Sequence, residues 1–243
     1  MNRGVSHVVG YVLVFAVVMA SVGVLYGSGV GTLEGVRDAE QVDNAERAVV
    51  ALAQNFEAVD RGHAPGRAGE VRLGGGRLAV DETTEFRVRV ERGGTVVQER
   101  LGVGALVYEY DDTAIRYEAG GVFRVGEGGS VLARRPAFDC TDDRALVSTV
   151  SVRATDGTEA VSEDDTVVVV GRRAEAATVF PRSVTPQTEG DATVRFEVVA
   201  SPSAEAWGRY LTDNGWTRSG DTYECTADRA FVRRTILDVA IRA

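Results

Sequence analysis

Residues 8–26 read VVGYVLVFAVVMASVGVLY. The run carries no charge, and only Gly10, Ser21 and Gly23 interrupt its apolar character. A helix of about 19 residues rising about 1.5 Å per residue is roughly 28 Å long, enough to cross the hydrocarbon core of a bilayer. A cleavable secretory signal would carry a shorter apolar stretch, about 7–15 residues, followed by an Ala-x-Ala site. Ala16, Ala20 and Ser21 supply only a poor substitute for that site. Arg3 is the sole charge ahead of the run, so the positive-inside rule places the N-terminus in the cytoplasm and everything after Tyr26 outside.

Working outward, a glycine-rich patch at residues 27–32 predicts a bend or local melting, because glycine weakens a helix. Helical spacing then resumes. Val42, Ala45, Val49, Leu52, Phe56 and Val59 recur at steps of three and four, opposite the polar Asp43, Asn44, Glu46, Arg47 and Gln54. That apolar seam predicts an amphipathic helix seating a globular domain, and it is too short to specify a coiled coil. The run from Arg61 to Gly66, with Gly62 and Pro65, ends the helix.

From Glu70 onward the pattern changes to strands. Residues 86–90 alternate apolar and polar, Gly93 and Gly94 make a turn, and residues 95–98 return, which predicts a hairpin. Residues 114–118 and 122–125 predict a second hairpin, turning at Gly120 and Gly121. Gly74–Gly75–Gly76 and Gly126–Glu127–Gly128–Gly129 read as hairpin turns as well. They are not phosphate loops, since the chain has no lysine for a Walker motif. Further strands are expected at residues 131–133, 146–152, 166–170, 193–199 and 234–241. The continuous valine run at 167–170 reads as buried on both faces. Ser201–Pro202–Ser203 reads as a cap for a short helix over residues 204–211 that ends near Asn214 and Gly215.

Two segments resemble each other. Residues 138–147 (FDCTDDRALV) and 223–232 (YECTADRAFV) share six of ten positions, each an aromatic–acid–Cys–Thr unit leading through an Asp-Arg turn into a strand. A duplicated β-unit, or two equivalent edges joined by a disulfide, would explain the likeness. Cys140 and Cys225 are the only cysteines and both fall outside the membrane, where oxidation is permitted. A bond between them would close a loop of about 85 residues and stabilise the fold by ~4 kcal/mol. Two free buried thiols are the alternative. No metal site is expected, because the two histidines, His7 and His63, lie far from the cysteines in sequence.

Composition narrows the function classes. All 27 basic residues are arginine, 36 residues are acidic, and the net charge is −9. Such an acidic, lysine-free chain looks like a salt-adapted archaeal protein, and its charge argues against a nucleic-acid partner. Arg134–Arg135, Arg172–Arg173 and Arg233–Arg234 read as solvated strand ends or local ion pairs. With two histidines, a Ser-His-Asp or Cys-His site is not expected, so the chain reads as a non-enzyme without a cofactor. Tyr110–Asp111–Asp112 and Glu163–Asp164–Asp165 read as solvated acidic turns in preference to weak Ca²⁺ sites. Trp207, Tyr210 and Trp216 read as a helix stripe packed on the sheet in preference to a ligand-binding patch. There is no Asn-x-Ser/Thr acceptor for N-glycosylation.

The N-terminal residues Arg3–Gly4–Val5–Ser6–His7–Val8–Val9–Gly10 resemble the class III signal of archaeal type IV pilin-like proteins. His7 stands where haloarchaeal members usually carry proline. The resemblance implies cleavage by a prepilin peptidase between Gly4 and Val5, with Arg3 as the basic residue of the leader. It also implies retention of the apolar helix for packing with other pilin-like subunits, close at Gly10 and Gly23. Residues 115–124, 135–140 and 201–211 are similar to an uncharacterised haloarchaeal family with pilin-like N-termini.

The expected fold is α+β: a long N-terminal transmembrane and amphipathic helix, then an antiparallel β-rich head with one short helix. The expected segments are a leader at 1–4, a transmembrane helix at 5–30, an amphipathic helix at 31–61 and an extracellular head at 67–243. The expected function is a membrane-anchored, exported subunit of a type IV pilus-like structure. The alternative is an anchored surface domain that does not polymerise and binds a protein or glycan.

Overall fold

The two sequence periodicities map onto one helix and a β-rich head. The computed structural model describes residues 3–155, 160–162, 165–181 and 191–242; for residues 3–7 and 27–34 only the backbone is described. Glu163 and Asp164 of the expected acidic turn, and Met1 and Asn2 of the leader, lie outside the described residues. Helix α1 spans Arg3–Asp60. Its backbone stays helical through residues 27–32, where the glycines predict a bend, since glycine in a helix costs about 1 kcal/mol relative to alanine without forbidding it. The chain divides into two compact units, Met1–Asp43 and Asn44–Ala243.

In the first unit every side chain from Val8 to Tyr26 is exposed. In the second, the remainder of α1 buries the seam read from the sequence: Ala45, Val49, Leu52, Phe56 and Val59 are each no more than 1% exposed.

The strands of the head are β1 (Gly66–Arg72), β2 (Arg77–Arg92), β3 (Thr95–Tyr110), β4 (Thr113–Glu118) and β5 (Gly121–Gly126). There follow β6 (Gly129–Arg134), β7 (Ala137–Cys140), β8 (Arg144–Ala154), β9 (Ala160–Ser162) and β10 (Thr166–Phe180). After β11 (Ala192–Ala200) come helix α2 (Ala204–Asp213), β12 (Thr217–Ser219), β13 (Thr222–Ala227) and β14 (Arg229–Arg242). One sheet has the order β1-β10-β14-β8-β7. The other runs β12-β13-β11-β2-β3-β4-β5-β6, with β9 paired to β2. Pairing is antiparallel throughout except between β8 and β14, which run parallel. The architecture is α+β with a β-rich head and one short helix.

Turn chemistry explains part of this pairing. Gly93 and Gly94, at φ 51° and 78°, join the 16-residue strands β2 and β3 in a two-residue turn whose positive φ values match the twist of the strands. The β4–β5 turn sits one residue earlier than the sequence predicts, at Ala119 and Gly120 (φ 50° and 92°), because Glu118 pairs with Gly121. That register buries Ile115, Tyr117, Val122 and Phe123 together. Gly74 to Gly76 is not a hairpin turn: β1 pairs with β10 in one sheet and β2 belongs to the other, so these glycines carry the chain between sheets. Glu127 and Gly128 do turn a hairpin, between β5 and β6.

The valine run of β10 is buried on one face only. Val167 and Val169 are fully buried, whereas Val168 is 36% exposed. The buried face lies under α1, which needs a saddle to approach: a Cβ at Gly69 would lie 2.5 Å from Leu52 Cδ2, and one at Gly171 would lie 2.5 Å from Phe56 Cε1. No helix among the described residues covers the opposite face of the strand, so alternation returns.

The main core lies between the two sheets and α2, around Trp207. Phe86, Phe123, Phe138 and Phe196 ring Trp207 with centroids 5.0–6.0 Å apart in mixed edge-on and tilted pairs. The N-terminus of α2 is capped from another element. Ser203 occupies the cap position but makes no side-chain cap bond; instead Ser130 Oγ of β6 accepts from the Ala206 amide at 3.0 Å.

Candidate functional site

The N-terminal segment has the length and composition to cross a membrane. Val8–Tyr26 is a 19-residue apolar helical stretch with none of it buried. Gly10 and Gly23 lie on this helix, and a Cβ added at either would meet nothing within 4 Å, so both present open backbone to whatever surrounds the helix. Arg3, Gly4 and Val5 are helical in backbone, and their side chains lie outside the described residues.

The two repeated segments come together in space. β8 and β14 pair in parallel with Arg144 beside Arg229, Ala145 beside Ala230 and Val147 beside Val232. Every one of these pairs is offset by 85 residues, the same separation as that between Cys140 and Cys225. The cysteines form a disulfide with Cα atoms 5.9 Å apart. The Asp228 amide donates to the Asp142 carbonyl at 2.8 Å, so the Asp-Arg turns of the two copies also touch. Among the described residues no group of three or more His, Cys, Asp or Glu is gathered as a metal site.

The aromatic residues of α2 and its exit are packed away: Trp207, Tyr210 and Trp216 are 0%, 5% and 2% exposed. Under them lies a polar cluster that the sequence does not announce. Glu118, fully buried, accepts hydrogen bonds from Trp207 Nε1 at 2.7 Å, Ser201 Oγ at 2.6 Å and Thr84 Oγ1 at 3.3 Å. Arg116, 5% exposed, reaches Glu118 at 3.4 Å and Asp81 at 2.7 Å. With its lone pairs taken and no opening to solvent at Glu118, this cluster ties β2, β4, the turn after β11 and α2 together rather than offering a reactive group.

A cleft of about 370 Å³ opens where the end of α1 meets both sheets. Four arginines line it, Arg61, Arg134, Arg135 and Arg233, against two acids, Glu57 and Asp60. Glu57 pairs with both Arg61 and Arg134. Arg134 also donates to the Gly120 carbonyl at 3.2 Å. Arg233 donates to the Asp60 carboxylate at 2.7 Å and to its carbonyl at 3.1 Å. Of the three doublets, Arg233 and Arg234 both pair, Arg234 bridging Glu99 and Glu175 outside the cleft, and Arg134 pairs with Glu57, whereas Arg172 and Arg173 are exposed and make no ion pair among the described residues. Arg135, at the cleft, is likewise exposed and has no ion pair among the described residues. Tyr117 packs its ring edge-on to Phe56, with centroids 5.2 Å apart. Burial pushes its phenol well above the ordinary value, and the nearby Asp60 carboxylate adds to the effect, so the hydroxyl stays protonated.

Sequence reasoning missed this cleft because its lining comes from five separate stretches, around residues 53–61, 117–120, 134–137, 146–150 and 233. The only local signal was the arginine doublets, and nothing in the sequence shows that 134–135 and 233 meet.

The geometry defines a class: an N-terminal apolar helix of membrane-spanning length on a disulfide-bonded, two-sheet head. The chain belongs to DUF7289, a family of unknown function, whose model matches residues 3–241. No curated protein and no solved structure matches it.

Proposed function

We propose that this protein is an exported, membrane-anchored pilin-like subunit that takes part in assembling a type IV pilus-like surface structure. The observation that carries the reading is the Val8–Tyr26 helix, apolar and exposed along its whole length, starting directly after the short leader with Arg3 and Gly4. Nineteen exposed apolar residues are stable only against lipid or other apolar helices. On this reading a prepilin peptidase cuts between Gly4 and Val5, Arg3 marks the cytoplasmic side, and the head lies outside. The retained helices pack with those of other pilin-like subunits, approaching most closely at Gly10 and Gly23, where no side chain intervenes. The disulfide accords with a head in an oxidising compartment.

The test is the mature N-terminus, read by mass spectrometry from an archaeal host with and without its prepilin peptidase. A start at Val5 that disappears without the peptidase is the expected result. An intact N-terminus in both strains would overturn the pilin reading and leave an anchored surface domain that does not polymerise.

A further inference from the structure

A side-chain hydroxyl that lines a cleft and makes no hydrogen bond within the protein is open to water or to a ligand. Two such hydroxyls line the cleft at the end of α1; neither bonds a described residue, and neither is among the unpaired polar atoms sealed from solvent. Tyr117, 1% exposed, lines the cleft, and its side chain has only the ring contact with Phe56 and an electrostatic coupling to Asp60, Arg134 and Glu57, which line the cleft too. Ser148, 5% exposed, makes no side-chain hydrogen bond to a described residue either. Arg135 adds a guanidinium at the rim with no carboxylate partner among the described residues. The neighbouring Arg61, Arg134 and Arg233 are already engaged by Glu57 and Asp60, and these pairs leave the cleft with an excess of two positive charges in a chain whose net charge is −9. Ala53, Leu146 and Val150 give it an apolar wall.

Three unengaged donors, an excess of positive charge and an apolar wall in a volume of about 370 Å³ make up the pattern of a small-ligand pocket: mostly preformed, with few polar groups that fix orientation. We infer that this cleft binds a small organic carboxylate. Arg135 pairs with the carboxylate, the planar guanidinium matching its two oxygens. Tyr117 and Ser148 donate hydrogen bonds to the acceptor oxygens of the ligand, and its body lies against Leu146 and Val150. The acidic surface elsewhere would repel such an anion, so local positive charge confines it to this cleft. The site is complete within the head and does not depend on processing at Gly4 or on assembly.

The experiment is calorimetric titration of the full chain in detergent at fixed ionic strength. The probes are glucuronate and benzoate as ring-bearing carboxylates, glucose as a neutral ring, and inorganic sulfate. Saturable one-to-one binding of at least one carboxylate is expected, with none for glucose. Arg135→Ala should weaken it at least tenfold while leaving the unfolding midpoint unchanged, since that side chain has no ion pair to lose. Tyr117→Phe, which keeps the ring on Phe56, should weaken it several-fold. Failure of both carboxylates to bind, or binding untouched by Arg135→Ala, would overturn the site. Sulfate binding as tight as the carboxylates would overturn the organic-carboxylate assignment. None of these outcomes bears on the mature N-terminus, so the two proposals fail separately.

Discussion

Asp81 shows how one side chain couples the stability of the head to pH. Its carboxylate accepts from Arg116 at 2.7 Å and from the Thr83 amide at 2.9 Å. Burial alone would raise its pKa, but the Arg116 and Thr83 hydrogen bonds outweigh that and hold it below the usual carboxylate range. A carboxyl lowered on folding adds stability that is present above its unfolded pKa, about 4, and lost as the pH falls through its folded value. Asp81→Asn is therefore expected to be less stable than the parent at pH 7, with the gap closing below about pH 4. Thermal unfolding midpoints from pH 7 to pH 2 check this, and a gap that stays constant across the range would refute it. The neighbouring Glu118 was not legible as a site residue, because an acid in a strand ordinarily reads as solvent-facing. Only the tertiary meeting of Trp207, Ser201 and Thr84 reveals why it is inside.

At the level of elements, the two sheets meet closely where β3 lies against β8. The register of β2 and β3 shifts between Asp81 and Thr84, so Gly104 has no direct partner on β2 and its amide donates across to Ser151 Oγ at 3.0 Å. A Cβ at this position would lie 1.8 Å from the Val152 carbonyl oxygen, a backbone atom that cannot swing aside. Gly104→Ala is expected to cost about 3 kcal/mol by forcing the sheets apart. A denaturation midpoint within error of the parent at unchanged slope would rule that out. Elements with a local cause were readable in advance: the α1 seam from its 3.6-residue spacing, the β2–β3 hairpin from Gly93–Gly94, and α2 from the Ser201–Pro202–Ser203 start and the Asn214–Gly215 end. Those decided by distant partners were not. Ala119 takes a positive φ because the β4–β5 register demands it, Ser130 replaces Ser203 as the cap, and Val168 is exposed because α1 covers only one face of β10.

For the molecule as a whole, the internal repeat is the organising fact. Likeness between residues 138–147 and 223–232 shows in the sequence, but their direction of pairing does not. Two copies of one unit lie side by side and parallel, locked by Cys140–Cys225 across a separation of 85 residues. Confining the unfolded chain in this way is expected to contribute ~4 kcal/mol, so the double variant Cys140→Ser, Cys225→Ser should lose about that much in chemical denaturation. A loss below about 1 kcal/mol would mean that the parallel β8–β14 ladder alone sets the closure. The same bond makes residues 140–225 a covalent ring that holds the strands β8 to β12 whole, together with α2. A protease can therefore cut the backbone once anywhere within that ring and still leave a single covalent molecule, whose pieces part only when a reductant is added.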